Sequence, residues 1–201
     1  RAEKSLPKSL SQAEIATLFE EISKSKTPEA IRDYAMVEVL YATGMRVSEL
    51  ISIKLSDINL RENYIRCQGK GFKERLVNIH NTASELLEYY ISNVRPIFLR
   101  KSGSKYSTEN PLFLNIRGNR LTRQGFWSIL KKYAKASGLE TNLTPHVLRH
   151  TFATHMLTGG APLRYIQELL GHSSIATTQV YTHIAQNQLQ ESYDRAHPRA
   201  N

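Results

Sequence analysis

Cysteine occurs once in the 201 residues, at Cys67, so no intrachain disulfide can form and no cysteine-built zinc site is expected. A lone thiol fits a reducing, cytoplasmic setting. No apolar run approaches the roughly 20 residues of a membrane-spanning helix. The first ten residues lack the apolar core of a signal peptide and read as a linker leading into a domain. The seven histidines show no His-Glu-x-x-His or comparable ligand spacing, and the Gly-x-x-x-x-Gly-Lys phosphate loop is missing. Neither a metal nor a cofactor is therefore expected. Internal repeats and low-complexity segments are lacking too. Acidic residues are the scarcer charge, 18 Asp and Glu against 27 Lys and Arg, for a net charge of +9. Such a surface suits a polyanion, since each phosphate it neutralises releases condensed counterions.

What is present begins with a core. Apolar residues make up 40% of the chain, enough for one buried interior. Ser11-Gln12-Ala13-Glu14 is a capping-box pattern, followed by Ile15, Leu18, Phe19 and Ile22 at helical spacing. Thr27-Pro28 starts a second helix that Gly44 can end, and a short third helix covers Val47 to Ile53. Tyr64 to Gln68 and Arg75 to Ile79 alternate around Gly69-Lys70-Gly71-Phe72, which reads as a β-hairpin, with a strand near Asp57 to Leu60 completing a small sheet. Helical patterns return from about Thr82 to Leu99, with Pro96 a kink or an end. Gly103 to Asn110 is expected to be a surface loop. Further helices are expected from Thr122, from Thr144 with Pro145 at the first position, from Pro162, and around Thr177 and Ala185. The fold class is mainly α with a small three-stranded antiparallel β-sheet, α+β.

The chemistry concentrates in four places. Leu169 to His183 puts His172 nine residues before Tyr181, just after a helix end at Gly171. A phenol has a pKa near 10 and is a poor nucleophile until a neighbour takes its proton or stabilises its anion. His146 and Arg149 lie three apart on one helix face, near an N-terminus that attracts anions. Arg46 follows Gly44 at a helix junction, and its rigid fork can hold two phosphate oxygens, with Glu49 three residues later placed to orient it. Lys70 sits between two glycines at the hairpin tip. Each group alone has an ordinary reading: a packed tyrosine, a capping histidine, a surface ion pair or a solvated turn. Together they form the set needed to attack a phosphodiester through a tyrosine without a metal ion.

In this order, Arg46, Lys70, His146-x-x-Arg149, His172 and Tyr181 resemble the catalytic signature of tyrosine recombinases. The runs Ala42-Thr-Gly-Met-Arg-Val-Ser-Glu-Leu, Gly-Lys-Gly-Phe-Lys-Glu-Arg, Thr144-Pro-His-Val-Leu-Arg-His-Thr-Phe-Ala-Thr-His and Leu-Gly-His-Ser-Ser-Ile-Ala-Thr-Thr-Gln-Val-Tyr-Thr-His are similar to the Xer-type branch, as is the ending Tyr193-Asp-Arg-Ala-His-Pro-Arg-Ala. The resemblance implies a catalytic-domain fold over residues 11–183, an interdomain linker remnant at 1–10, and an exchange helix with its tail at 184–201. It further implies that the family's N-terminal DNA-clamping domain is absent here. Tyr181 would be the nucleophile, Arg46 and Arg149 the phosphate clamp, and Lys70 the general acid. His172 would donate a hydrogen bond to the phosphate, His146 would help accept the tyrosine proton, and Glu49 would position Arg46.

The implied partner is double-stranded DNA at a specific site, bound by a homo- or hetero-tetramer that exchanges C-terminal helices at the nucleoid. Chromosome dimer resolution is the implied role, with a DNA translocase as a further candidate partner. Other readings of the residues are a mobile-element integrase, a type IB topoisomerase-like strand transferase and a non-catalytic DNA-binding module.

Overall fold

The Ser11 hydroxyl accepts the Glu14 amide at 3.1 Å while the Glu14 carboxylate accepts the Ser11 amide at 2.7 Å, so the sequence's capping box is built. It opens α1 (Gln12–Ser23), which buries Ile15, Leu18, Phe19 and Ile22. The computed structural model describes residues 9–68, 74–101, 110–139, 143–171 and 183–200, with backbone alone for 183–187. In α2 (Pro28–Thr43) the Thr27 hydroxyl caps the Ala30 amide and Pro28 occupies the first turn. This helix is buried on nearly every side, as expected of one packed against α1, α4 and α7 together. It ends at Gly44, whose φ of +60° is left-handed. A Cβ there would stand 2.2 Å from the ring of Phe152, so glycine also permits the close approach of α7. The short α3 (Val47–Ser52) follows at once.

The sheet has the order β1 (Ile58–Asn59), β2 (Tyr64–Gln68), β3 (Glu74–Asn78), all antiparallel. Pairing Ile65 with Val77 and Cys67 with Arg75 turns Ile65, Cys67 and Val77 into the core. The hairpin tip that carries Lys70 lies outside the described residues, as do the expected loop at 103–109 and the helix expected near Thr177.

Pro96 does not end its helix. The segment runs through α4 (Asn81–Tyr89), a π-turn (Tyr90–Val94) and α5 (Arg95–Lys101). The Arg95 amide reaches back to the Tyr90 carbonyl, so the register has widened just before the proline. Pro96 then falls in the first turn of a renewed α-register, where a missing N–H is tolerated. The sequence also hides a buried extended segment. Leu112, Phe113 and Leu114 are almost wholly buried and are held by isolated bridges from Lys54 to Pro111 and Leu114 to Arg120. The Tyr90 hydroxyl donates to the Leu112 carbonyl at 3.1 Å and accepts the Leu114 amide at 3.2 Å.

The second half comprises α6 (Arg123–Ala136), α7 (Pro145–Thr158), α8 (Leu163–Leu170) and α9 (His183–Ala196). Past its first turn, α9 lies on its own chain. Tyr193 is fully buried and donates to the Ala42 carbonyl at 2.8 Å, while Leu189 packs against the core. A Cβ on Gly159 would sit 2.1 Å from the Ala196 carbonyl oxygen, so α7 and the end of α9 meet backbone to backbone.

Behind α9, His197 is buried beside Tyr41, Phe152 and Tyr193. Its Nδ1 accepts the Arg199 amide, which leaves the hydrogen on Nε2 to meet the Tyr41 carbonyl at 3.3 Å. Burial above all, with nearby His80, Arg199 and His155, pushes the imidazole down to about 3. In the unfolded chain the ring titrates near 6.5. Above pH 6.5 both states are neutral; as pH falls from there toward 3, only the unfolded chain gains the proton and stability drops. Urea titrations at pH 7 and pH 4.5 should differ by an acid loss on the order of a few kcal/mol that is reduced in His197→Phe. An identical acid slope in that variant would remove His197 from the account.

Candidate active site

Glu49 ties the start of α3 to β3. It is in the first turn of α3, 6% exposed, and its Oε2 accepts the Arg46 amide at 2.7 Å, which closes the start of the helix. Its Oε1 also meets the Arg46 guanidinium at 3.4 Å. From β3, Arg75 grips the same carboxylate with both terminal nitrogens, each at 2.9 Å. Burial alone would raise the Glu49 carboxyl, but the Arg75 fork and the Arg46 amide outweigh it and hold it below its ordinary value.

Arg149 enters from α7, half-buried, one turn after the exposed His146. Its Nη1 donates to the Gly44 carbonyl at 2.5 Å and its Nη2 to the Leu170 carbonyl at 2.7 Å. It therefore ties the end of α2 to the end of α8, while the Thr144 hydroxyl caps α7 on the Val147 amide at 3.1 Å. Burial first, then the neighbouring Arg46, lowers the Arg149 guanidinium to about 10, so it stays charged at neutral pH but in an unfavourable setting. Arg46 and Arg75 thus bond the Glu49 carboxylate, while Arg149 lies near enough to feel both guanidiniums and that carboxylate but donates to the two carbonyls. The excess positive charge has an opening outward: the Arg46 side chain is 45% exposed.

Of the residues expected from sequence, the structure brings together Arg46, Glu49 and Arg149, with His146 exposed one turn before Arg149 on α7. Lys70, His172 and Tyr181 lie outside the described residues, although both flanks are placed. β2 and β3 end at 68 and 74 around Lys70. α8 ends at Leu170 and Gly171, immediately before His172. Arg75 was the member without an assigned role. Its position in the alternating β3 strand was legible, whereas its partner Glu49 lies 26 residues away, beyond any local pattern. Among the described residues no group of three or more His, Cys, Asp or Glu side chains could hold a metal ion, and no helix is long and apolar enough to cross a membrane.

The chain is similar to known proteins along its length. The model of the phage integrase family matches residues 8–188. A tyrosine recombinase XerD of Oceanobacillus iheyensis is 48% identical over 200 residues, covering all of this chain and 65% of the relative. The chain thus spans about two-thirds of that protein's length. The crystal structure of a XerA recombinase superposes with a TM-score of 0.71 at 36% identity, over 99% of this chain and 66% of that one. A XerH site-specific recombinase in a post-cleavage complex with a palindromic difH substrate gives 0.70 at 30% identity, over 94% of this chain and 53% of the other.

Proposed function

Since the chain belongs to the phage integrase family, we propose that it is the catalytic part of a Xer-like site-specific DNA recombinase that breaks and rejoins strands through a 3′-phosphotyrosyl intermediate. The observation that carries this reading is the cationic cluster of Arg46, Arg75 and Arg149 around the single carboxylate of Glu49. It lies beside the N-terminus of a 14-residue helix that adds its own partial positive charge. Such a site is preorganised for a phosphate gaining negative charge.

In the reaction, the Tyr181 oxygen attacks phosphorus in line, a P–O bond to tyrosine forms and the P–O5′ bond breaks. His146 helps take the phenolic proton, and Lys70 delivers a proton to the departing 5′ oxygen. Arg46 and Arg149 hold the non-bridging oxygens, His172 donates to the phosphate, and Glu49 orients Arg46. Fixed cationic donors fill the role of the ions in two-metal nucleases. A 5′-hydroxyl from a second duplex can reverse the step, which makes strand exchange. The protein acts on the chromosome in the cytoplasm, as a tetramer on specific double-stranded sites. C-terminal helices are shared between protomers, and the purpose is dimer resolution.

A DNA substrate nicked near the cleavage point and carrying the organism's candidate site tests this, with the full-length protein and no divalent ion. A covalent protein–DNA band on a denaturing gel is expected, and it should vanish in Tyr181→Phe. A band that persists in Tyr181→Phe, or no band from wild type, overturns the proposal.

A further inference from the structure

We propose that Arg75 is a positioning residue for strand cleavage, its one guanidinium fixing Arg46 and the start of the segment that carries His172 and Tyr181 in a common frame. The inference rests on the recombinase reading above. Arg75 donates from all three of its nitrogens: Nη1 and Nη2 to Glu49, and Nε to the Leu169 carbonyl at 2.9 Å. The two anchors belong to different parts of the chain, 26 and 94 residues from Arg75. One is the residue that closes the Arg46 turn. The other lies in the last turn of α8, three residues before His172.

A third contact tightens the second anchor. Gly171 turns with φ +67°, and a Cβ there would stand 3.2 Å from the Arg75 guanidinium carbon. The chain leaving α8 therefore lies directly against Arg75. Arg149 holds the adjacent Leu170 carbonyl, so two arginines from two elements fix consecutive carbonyls at the exit of α8. Arg149 is placed to touch the phosphate as well. Arg75 is 13% exposed and each of its three nitrogens donates to Glu49 or Leu169, so it acts through Glu49 and the α8 exit.

Positioning and mere bracing differ in what they change. Loss of a brace lowers the folded fraction, whereas loss of a positioning contact lowers the rate of fully bound, fully folded enzyme. The groups facing Glu49 are Arg46 from its own turn, Arg75 from β3, Arg149 from α7 and the Cys67 thiol from β2. Without the Arg75 fork, burial pushes the carboxyl upward, and its protonation releases Arg46 at a higher pH.

The test compares full-length wild type, Arg75→Lys and Arg75→Gln on the nicked substrate at saturating DNA, with DNA affinity and melting temperature measured alongside. Arg75→Lys keeps the charge but not the three-way fork. It is expected to fold and to bind DNA within about threefold of wild type, yet to form adduct about tenfold or more slowly. In Arg75→Gln the acid limb of the rate should move toward neutral pH. Wild-type rates at saturating DNA for Arg75→Lys, or rate losses that only follow the folded fraction with an unmoved acid limb, overturn this inference alone. No adduct from wild type itself overturns the recombinase reading, and this inference with it.

Discussion

Arg149→Ala is expected to lower covalent adduct formation by about a thousandfold or more, while DNA affinity changes little. In the proposed mechanism the Arg149 guanidinium is one of many phosphate contacts in the bound complex. In the transition state it is one of the few that faces the added charge. Burial first, then Arg46, brings the Arg149 guanidinium to about 10, and an arriving phosphate supplies a counter-charge to it.

Arg149 also has a structural task that sequence alone did not reveal. Its bonds to the Gly44 and Leu170 carbonyls join the ends of α2 and α8, and removing them leaves two helix-end acceptors without their charged donor. Arg149→Ala should therefore lose about 2–4 kcal/mol of stability. Arg149→Lys separates the two tasks: a single ammonium can keep one carbonyl but not the fork. Adduct formation should stay depressed by at least about a hundredfold while roughly half the stability returns. Parallel losses of binding and cleavage in Arg149→Ala would sink the transition-state assignment.

The difference between what was and was not legible is one of range. Ser11 with Glu14, Thr27-Pro28 with Gly44, and Thr144-Pro145 are local signals, and each opens or closes a helix where the pattern places it. The residue pattern likewise marks the two hairpin strands, the second of which starts and ends one residue earlier than expected, at Glu74–Asn78. The π-turn at Tyr90–Val94 was not legible, because Pro96 announces a break but not how the preceding turn widens to absorb it. The buried run Leu112–Leu114 has too few residues for a period. In the candidate site, Arg46, Glu49, His146 and Arg149 could be read because a family-like spacing joins them. Arg75 could not, because a strand arginine reads as a solvated side chain until the fold places Glu49 opposite it.

The tail shows the same limit and leads to the largest expected stability effect. Arg199→Ala should destabilise the folded chain by about 3–5 kcal/mol and lower its melting temperature by roughly 8–15 °C. Arg199 donates to both oxygens of Glu38, at 2.8 and 2.7 Å, and to the Tyr34 hydroxyl at 3.1 Å, and its guanidinium lies 4.1 Å from the Phe19 ring centre. Glu38 and His80 have no exposed side-chain surface, and His80 Nε2 stands 3.1 Å from Glu38 but off hydrogen-bond geometry. Arg199 is thus the strongest partner of a fully buried carboxylate, and its loss strands that charge. Glu38→Gln should restore part of the stability lost in Arg199→Ala, since an amide tolerates burial that a carboxylate does not. A melting temperature within about 2 °C of wild type for Arg199→Ala would show that the clasp contributes little. The clasp also constrains any sharing of C-terminal segments between protomers. Tyr193, His197 and Arg199 meet Ala42, Tyr41 and Glu38 of their own chain here, so exchange must either leave these contacts in place or rebuild them on a neighbour's α2. If the tail stays clasped during assembly, Arg199→Ala weakens the monomer and the assembled complex alike. If the contacts are rebuilt between copies, the variant should lower the yield of assembled complexes beyond what its folded fraction accounts for.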